Sequence, residues 1–145
     1  ELERHRELMG LAIAQANYAP IQTTWFRVGT VILHGNQIIA TGHTLADGQH
    51  AAMVAIGGAR RTELLRGATM YTTMEPCSMH GRQHRSCTER IVEAGVACVV
   101  IGVKEPTTFE NCNGVEELRV AGIDVVHLKF LEEECLRTNI HLLAG

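Results

Sequence analysis

The chain has 145 residues, 46% hydrophobic and 20% charged, with a formal net charge of -3. That size and balance fit one globular domain over residues 1–145, exclude a disordered or fibrous chain, and leave no broad basic field for a dedicated nucleic-acid binder. The charged start from Glu1 to Glu7, the lack of a membrane-length apolar run and the odd count of five cysteines set the expectation of a cytoplasmic, thiol-keeping protein without membrane or disulfide framework.

Leu8, Leu11, Ala12 and Gln15 recur at helical spacing, which predicts an amphipathic helix over 2–17. After a loop containing Pro20, β-rich runs at 28–33 and 37–41 flank His34-Gly35-Asn36, a hairpin turn. A second loop, 42–49, carries Asp47-Gly48 as its turn signal. Residues 50–66 are predicted helical, with Met53, Ile56, Leu64 and Leu65 on the apolar face and Gly57-Gly58 weakening the middle. Residues 69–73 form a strand by composition, ended by Glu75-Pro76 so that Cys77 opens the next segment. A short helix at 87–94 stops at Gly95, and 97–103 is a fully apolar strand. A helix at 114–121 closes at Gly122, a strand spans 123–128, and a last helix spans 131–143. The order predicts a layered α/β domain whose later strands run parallel.

His50, Cys77 and Cys87 are each expected where a helix or helical turn begins, and free N–H groups there favour the thiolate form. Singly, such residues are more often a helix-start histidine and ordinary buried thiols. Together, a histidine, a Pro-Cys and a second cysteine after strand signals make a ligand set for one zinc ion per chain. Three ligands leave a fourth position for water, the mark of a catalytic rather than a structural zinc. His80 and His84 are the candidates for closing the set structurally, whereas the turn-forming Gly81-Arg82 points to a loop that reads substrate. Cys98, Cys112 and Cys135 read as core or incidental thiols.

His50-Ala51, the run from Tyr71 to Cys77, and Cys87 resemble the cytidine deaminase superfamily. Within it, Glu75-Pro76-Cys77-Ser78-Met79-His80-Gly81-Arg82 is similar to the loop of the riboflavin-pathway pyrimidine deaminases. Tyr71-Thr72-Thr73-Met74, the nine residues between the two cysteines and the run from Val103 to Phe109 look like the fungal, stand-alone branch. The long gap differs from the C-x-x-C spacing of the nucleic-acid deaminases. Ala94-Gly95-Val96 and Ala121-Gly122-Ile123-Asp124-Val125 extend the likeness over nearly the whole chain.

The resemblance implies a three-layer α/β/α fold with a mixed central sheet of about five strands, assembled as a homodimer or higher oligomer. It implies hydrolysis of the 2-amino group of a 2,5-diamino-6-(ribitylamino or ribosylamino)pyrimidinone 5′-phosphate by a zinc-bound hydroxide. The same resemblance places the general acid/base carboxyl at position 52, where this chain has Ala52. The chain as written is therefore expected to be inactive, through an engineered replacement or, in the competing account, a natural loss. Glu75 is expected to shape the loop and not to substitute for the missing carboxyl. Arg82 is the candidate for the phosphate, with His80 and Ser78 beside it, Trp25 stacking on the base or packing in the core, and Lys104 and Thr107 following a strand end. The alternatives are a deaminase of another free base, nucleoside or nucleotide, and a non-catalytic zinc-stabilised binding protein. The expected partner is a small phosphorylated pyrimidine, neither nucleic acid nor membrane.

Overall fold

The computed structural model describes residues 1–77, 86–104 and 113–143. Helix α1 (Leu2–Ala16) leads into the hairpin β1 (Gly29–His34) and β2 (Gln37–His43), followed by α2 (Ala51–Gly58) and β3 (Thr69–Met74). Then come α3 (Cys87–Ala94), β4 (Cys98–Val103), α4 (Gly114–Val120), β5 (Asp124–His127), α5 (Glu132–Arg137) and α6 (Ile140–Leu143). The five strands form one mixed sheet in the order β2-β1-β3-β4-β5. The β1 strand is antiparallel to both neighbours, while β3, β4 and β5 are parallel. Parallel neighbours need crossovers, and α3 and α4 supply them.

Alternation along the strands divides the apolar residues between the two faces. Ile32, Val99 and Ile101 pack with Ala55, Ile91 and Leu118 from α2, α3 and α4. Val31, Leu33 and Val100 pack with Met9 and Ala12 of α1 and Cys135 of α5. The result is the three-layer α/β/α arrangement, with β4 buried on both faces and therefore wholly apolar, and β1 buried up to His34. Among the described residues no helix is long and apolar enough to cross a membrane.

One glycine fixes how close α2 comes to the sheet. A Cβ on Gly42, in β2, would lie 2.6 Å from the carbonyl oxygen of Ala51 and 2.7 Å from the amide nitrogen of Ala55. Only a residue without a side chain lets the helix backbone sit there, and that seating places the first turn of α2 over the end of the sheet.

Two helices differ from the sequence expectation. The helix expected over 50–66 ends at Gly58, since the Gly57-Gly58 pair terminates it and does not merely weaken it. Ala59 is already extended (φ -68, ψ 122). The chain re-forms a single 3-10 turn, Thr62–Leu65, which returns Leu65 to the core. The helix expected over 131–143 is broken between α5 and α6 by Asn139, whose side chain is fully buried. Its Oδ1 accepts from the Arg27 amide at 2.7 Å and its Nδ2 donates to the Arg27 carbonyl at 2.9 Å, so it pairs with extended backbone as a strand would. Arg27 completes the junction by donating from its guanidinium to the carbonyl oxygens of Asn17, Ala19 and Thr138.

Candidate metal centre

His50 is the extended residue that precedes α2 (φ -76, ψ 144). Cys77 lies three residues beyond the end of β3, and Cys87 is the first residue of α3. Cys87 owes its place to a capping box: the Ser86 hydroxyl accepts from the Glu89 amide at 3.2 Å, and the Glu89 carboxylate accepts from the Ser86 amide at 3.3 Å. These three elements bring one ligand atom each from His50, Cys77 and Cys87 to within 4.8 Å of one another. His50 Nδ1 is 3.2 Å from Cys87 Sγ, and the Cys87 amide donates to Cys77 Sγ at 3.3 Å.

One imidazole and two sulfurs, both cysteines nearly excluded from solvent, form the donor set of tetrahedral zinc. Ligands at zinc's bond lengths stand roughly 3.5 Å apart across a tetrahedral ion, and the 3.2 Å between His50 Nδ1 and Cys87 Sγ fits that requirement. The electrostatics point the same way. The hydrogen bond from the Cys87 side chain, aided by His50, pulls the Cys77 thiol down to about 4 against the opposing effect of burial. A sulfur so held is a thiolate, the form a metal takes up. Cys98 and Cys135 contrast with it. Burial raises Cys98, and burial followed by the charges of Glu134 and Glu132 pushes Cys135 up to about 12.

His50, Cys77 and Cys87 stand in the wall of a cleft of about 320 Å³. Ala52, in the first turn of α2, faces the same space and is 5% exposed. Trp25 forms another part of the wall, which favours the cleft over simple core packing. Its ring lies against Gly48, where a Cβ would come within 3.3 Å of it, and its buried indole Nε1 has no hydrogen-bond partner among the described residues. Glu75 also borders the cleft, but its Oε2 accepts from the Val115 amide of α4 at 2.9 Å. That bond ties the ligand loop to α4, the shaping role expected of Glu75.

Lys104 follows β4 and is exposed, outside the cleft lining described above. Ser78, His80, Arg82 and Thr107 lie outside the described residues, as do His84 and Cys112. Reasoning from sequence missed the contribution of α4, which the fold brings against both cysteine segments. The available signal was Thr88, a polar residue directly after the candidate ligand Cys87. It is 2% exposed, and its hydroxyl donates to Glu117 of α4 at 2.8 Å.

Residues 2–103 match the family model of the cytidine and deoxycytidylate deaminase zinc-binding region. The diaminohydroxyphosphoribosylamino-pyrimidine deaminase of Schizosaccharomyces pombe is 37% identical over 141 residues, covering 94% of this chain and 35% of that protein. Among solved structures, Acinetobacter baumannii RibD (form 1) superposes with a TM-score of 0.84 at 33% identity, over 99% of this chain and 40% of that one. The Aspergillus oryzae Rib2 deaminase in complex with DARIPP, a C-terminal deletion mutant, gives a TM-score of 0.76 at 28% identity, over 92% and 88% of the two chains. The chain spans about a third of the length of the curated relatives it matches.

Proposed function

The chain belongs to the zinc-binding family of cytidine and deoxycytidylate deaminases, and from that premise we propose that residues 1–145 are a deaminase domain of riboflavin biosynthesis. Its substrate on this reading is a 2,5-diamino-6-(ribitylamino or ribosylamino)pyrimidinone 5′-phosphate, hydrolysed at the 2-amino group, and the chain as written binds it without turnover. The observation that carries the reading is the grouping of His50, Cys77 and Cys87 in one cleft wall with position 52 beside them. The names borne by the similar proteins supply the substrate class.

A zinc ion bound to this set supplies a Lewis acid that makes water a nucleophile at neutral pH. The residues of the chain do the rest. His50 and the two thiolates fix the metal to the ends of α2, β3 and α3. Trp25 offers the ring a flat wall, and Arg82 is the guanidinium that suits a phosphate. Deamination also needs one group to carry a proton from the attacking water to the ring nitrogen and then to the leaving amine. Position 52 faces the cleft, yet the methyl of Ala52 has no transferable proton. Glu75 is committed to α4 through Val115, so its carboxylate does not replace the missing shuttle.

Ala52 also favours one other reading, a zinc-stabilised protein that binds a pyrimidine without chemistry. The first test is equilibrium binding to the zinc-loaded chain, with the ribityl and ribosyl diaminopyrimidinone phosphates, their dephosphorylated forms and dCMP run side by side. We expect a diaminopyrimidinone phosphate to bind most tightly and to release no ammonia. Tighter binding of dCMP would move the assignment to a nucleotide deaminase.

A further inference from the structure

Three hydrogen-bonded links around the thiolates close into a ring that includes a helix contributing no ligand. The first link joins Cys77 to α3: the Cys87 amide donates to Cys77 Sγ at 3.3 Å and the Thr88 amide donates to the Cys77 carbonyl at 3.2 Å. The second joins the segment before Cys77 to α4. Glu75 Oε2 accepts from the Val115 amide, and Gly114 lies so close that any Cβ there would overlap the Pro76 carbonyl oxygen. The third joins α4 back to α3, where the buried Thr88 hydroxyl donates to Glu117 Oε1 at 2.8 Å and stands 2.9 Å from the Ser86 hydroxyl. Glu117 itself is exposed, so from outside it is one more surface glutamate.

We propose that Glu117 is a positioning residue for the metal: acting through Thr88, it locks α3 against α4 and so sets where Cys87 stands relative to Cys77. Each sulfur hangs on a short segment whose other end is tied to α4, at Val115 for Cys77 and at Glu117 for Cys87. Removing the Glu117 link opens the ring on the Cys87 side alone. The capping box still forms α3, since Ser86 and Glu89 are untouched, but the helix is then held at Cys77 by the Cys87 and Thr88 amides without the brace from α4. A ligand pair held less firmly binds metal less tightly, and loss of such supporting bonds weakens metal sites by about 10- to 100-fold.

The inference rests on the zinc-site reading above, and its test separates the two. The proteins are the parent chain, Glu117→Ala, Glu117→Gln, Thr88→Val and Thr88→Ser. The readouts are zinc transfer to a competing chelator, the visible spectrum of the Co(II)-loaded protein, and urea unfolding of the metal-free protein. We expect zinc transfer to be favoured about 10- to 100-fold in Glu117→Ala and Thr88→Val, with displaced Co(II) bands. Glu117→Gln keeps an acceptor and Thr88→Ser keeps the hydroxyl, so both should return the parent's affinity and spectrum. Unchanged affinity and bands in Glu117→Ala and Thr88→Val, with only the unfolding midpoint lowered, would overturn the proposal and leave Glu117 a stabiliser of α4. Failure of the parent itself to take up Zn(II) or Co(II) would remove the zinc-site reading, and this inference with it.

Discussion

Ala52→Glu tests the functional reading most directly. Position 52 is in the first turn of α2, where the free amides favour a carboxylate by about 0.3–1 kcal/mol. It is 5% exposed, so a charge placed there gives up part of its hydration, a cost of about 1–3 kcal/mol by the measure of buried polar groups in proteins. The adjoining cleft of about 320 Å³ has room for roughly ten waters, so the added atoms displace solvent and do not overpack the core. The variant should therefore fold, at a loss of about 1–2 kcal/mol once these opposing effects are combined. Against that stands the rate. A positioned proton carrier contributes about 10²- to 10⁴-fold, or roughly 3–5 kcal/mol of barrier. The assay is ammonia release from the diaminopyrimidinone phosphates by zinc-loaded protein, with Ala52→Gln as the control of matching shape that carries no transferable proton. Ammonia release by Ala52→Glu that does not exceed that of Ala52→Gln, with zinc and ligand bound to both, would refute the reasoning and favour the binding protein.

Metal analysis should find about one zinc per parent chain and none in Cys77→Ser. The metal-free protein should also show a pH dependence that Cys77→Ala lacks. Folding depresses the Cys77 thiol from 9.0 to about 4, so the unfolded chain holds the extra proton between those values. The resulting stability is complete above the ordinary thiol value and is lost as pH falls through about 4; urea midpoints at pH 5 and 8 should differ more in the parent than in Cys77→Ala. Gly42→Ala should destabilise the fold by about 1–3 kcal/mol and weaken zinc binding with it, because both atoms its Cβ would meet first belong to the backbone of α2. A loss of stability with unchanged zinc affinity would show that the seating of α2 does not govern His50. Trp25→Phe should weaken binding of the pyrimidine about 5- to 30-fold by calorimetry, the range of about 1–2 kcal/mol for losing part of an aromatic contact and a donor.

Where the sequence carried a local signal, the fold was legible. Gly95 closes α3 at the expected residue, in a left-handed conformation (φ 83), and the apolar run at 98–103 is the doubly buried β4. The grouping of His50, Cys77 and Cys87 was legible too, because a histidine before an apolar helix and a cysteine after Glu75-Pro76 are features of local sequence. What escaped depends on partners far away along the chain. The pattern over 131–143 is helical throughout, and the Arg27 backbone, 112 residues distant, draws Asn139 out of it. Glu75 reads as a neighbour of the site, but its partner is the amide of Val115, 40 residues on. The shortness of α2 was half visible in Gly57-Gly58, whose composition does not say whether a helix bends or ends there.

Trp25 has one more consequence. It is the single tryptophan of the sequence, and it stands in the wall that also carries His50, Ala52 and both ligand cysteines. The protein is thus born with one indole fluorophore, placed at the spot where metal and pyrimidine would meet. Red-edge excitation would report on that cleft free of background from other indoles, so occupancy could be followed by emission alone, without a label, in the parent chain and in every variant that keeps Trp25.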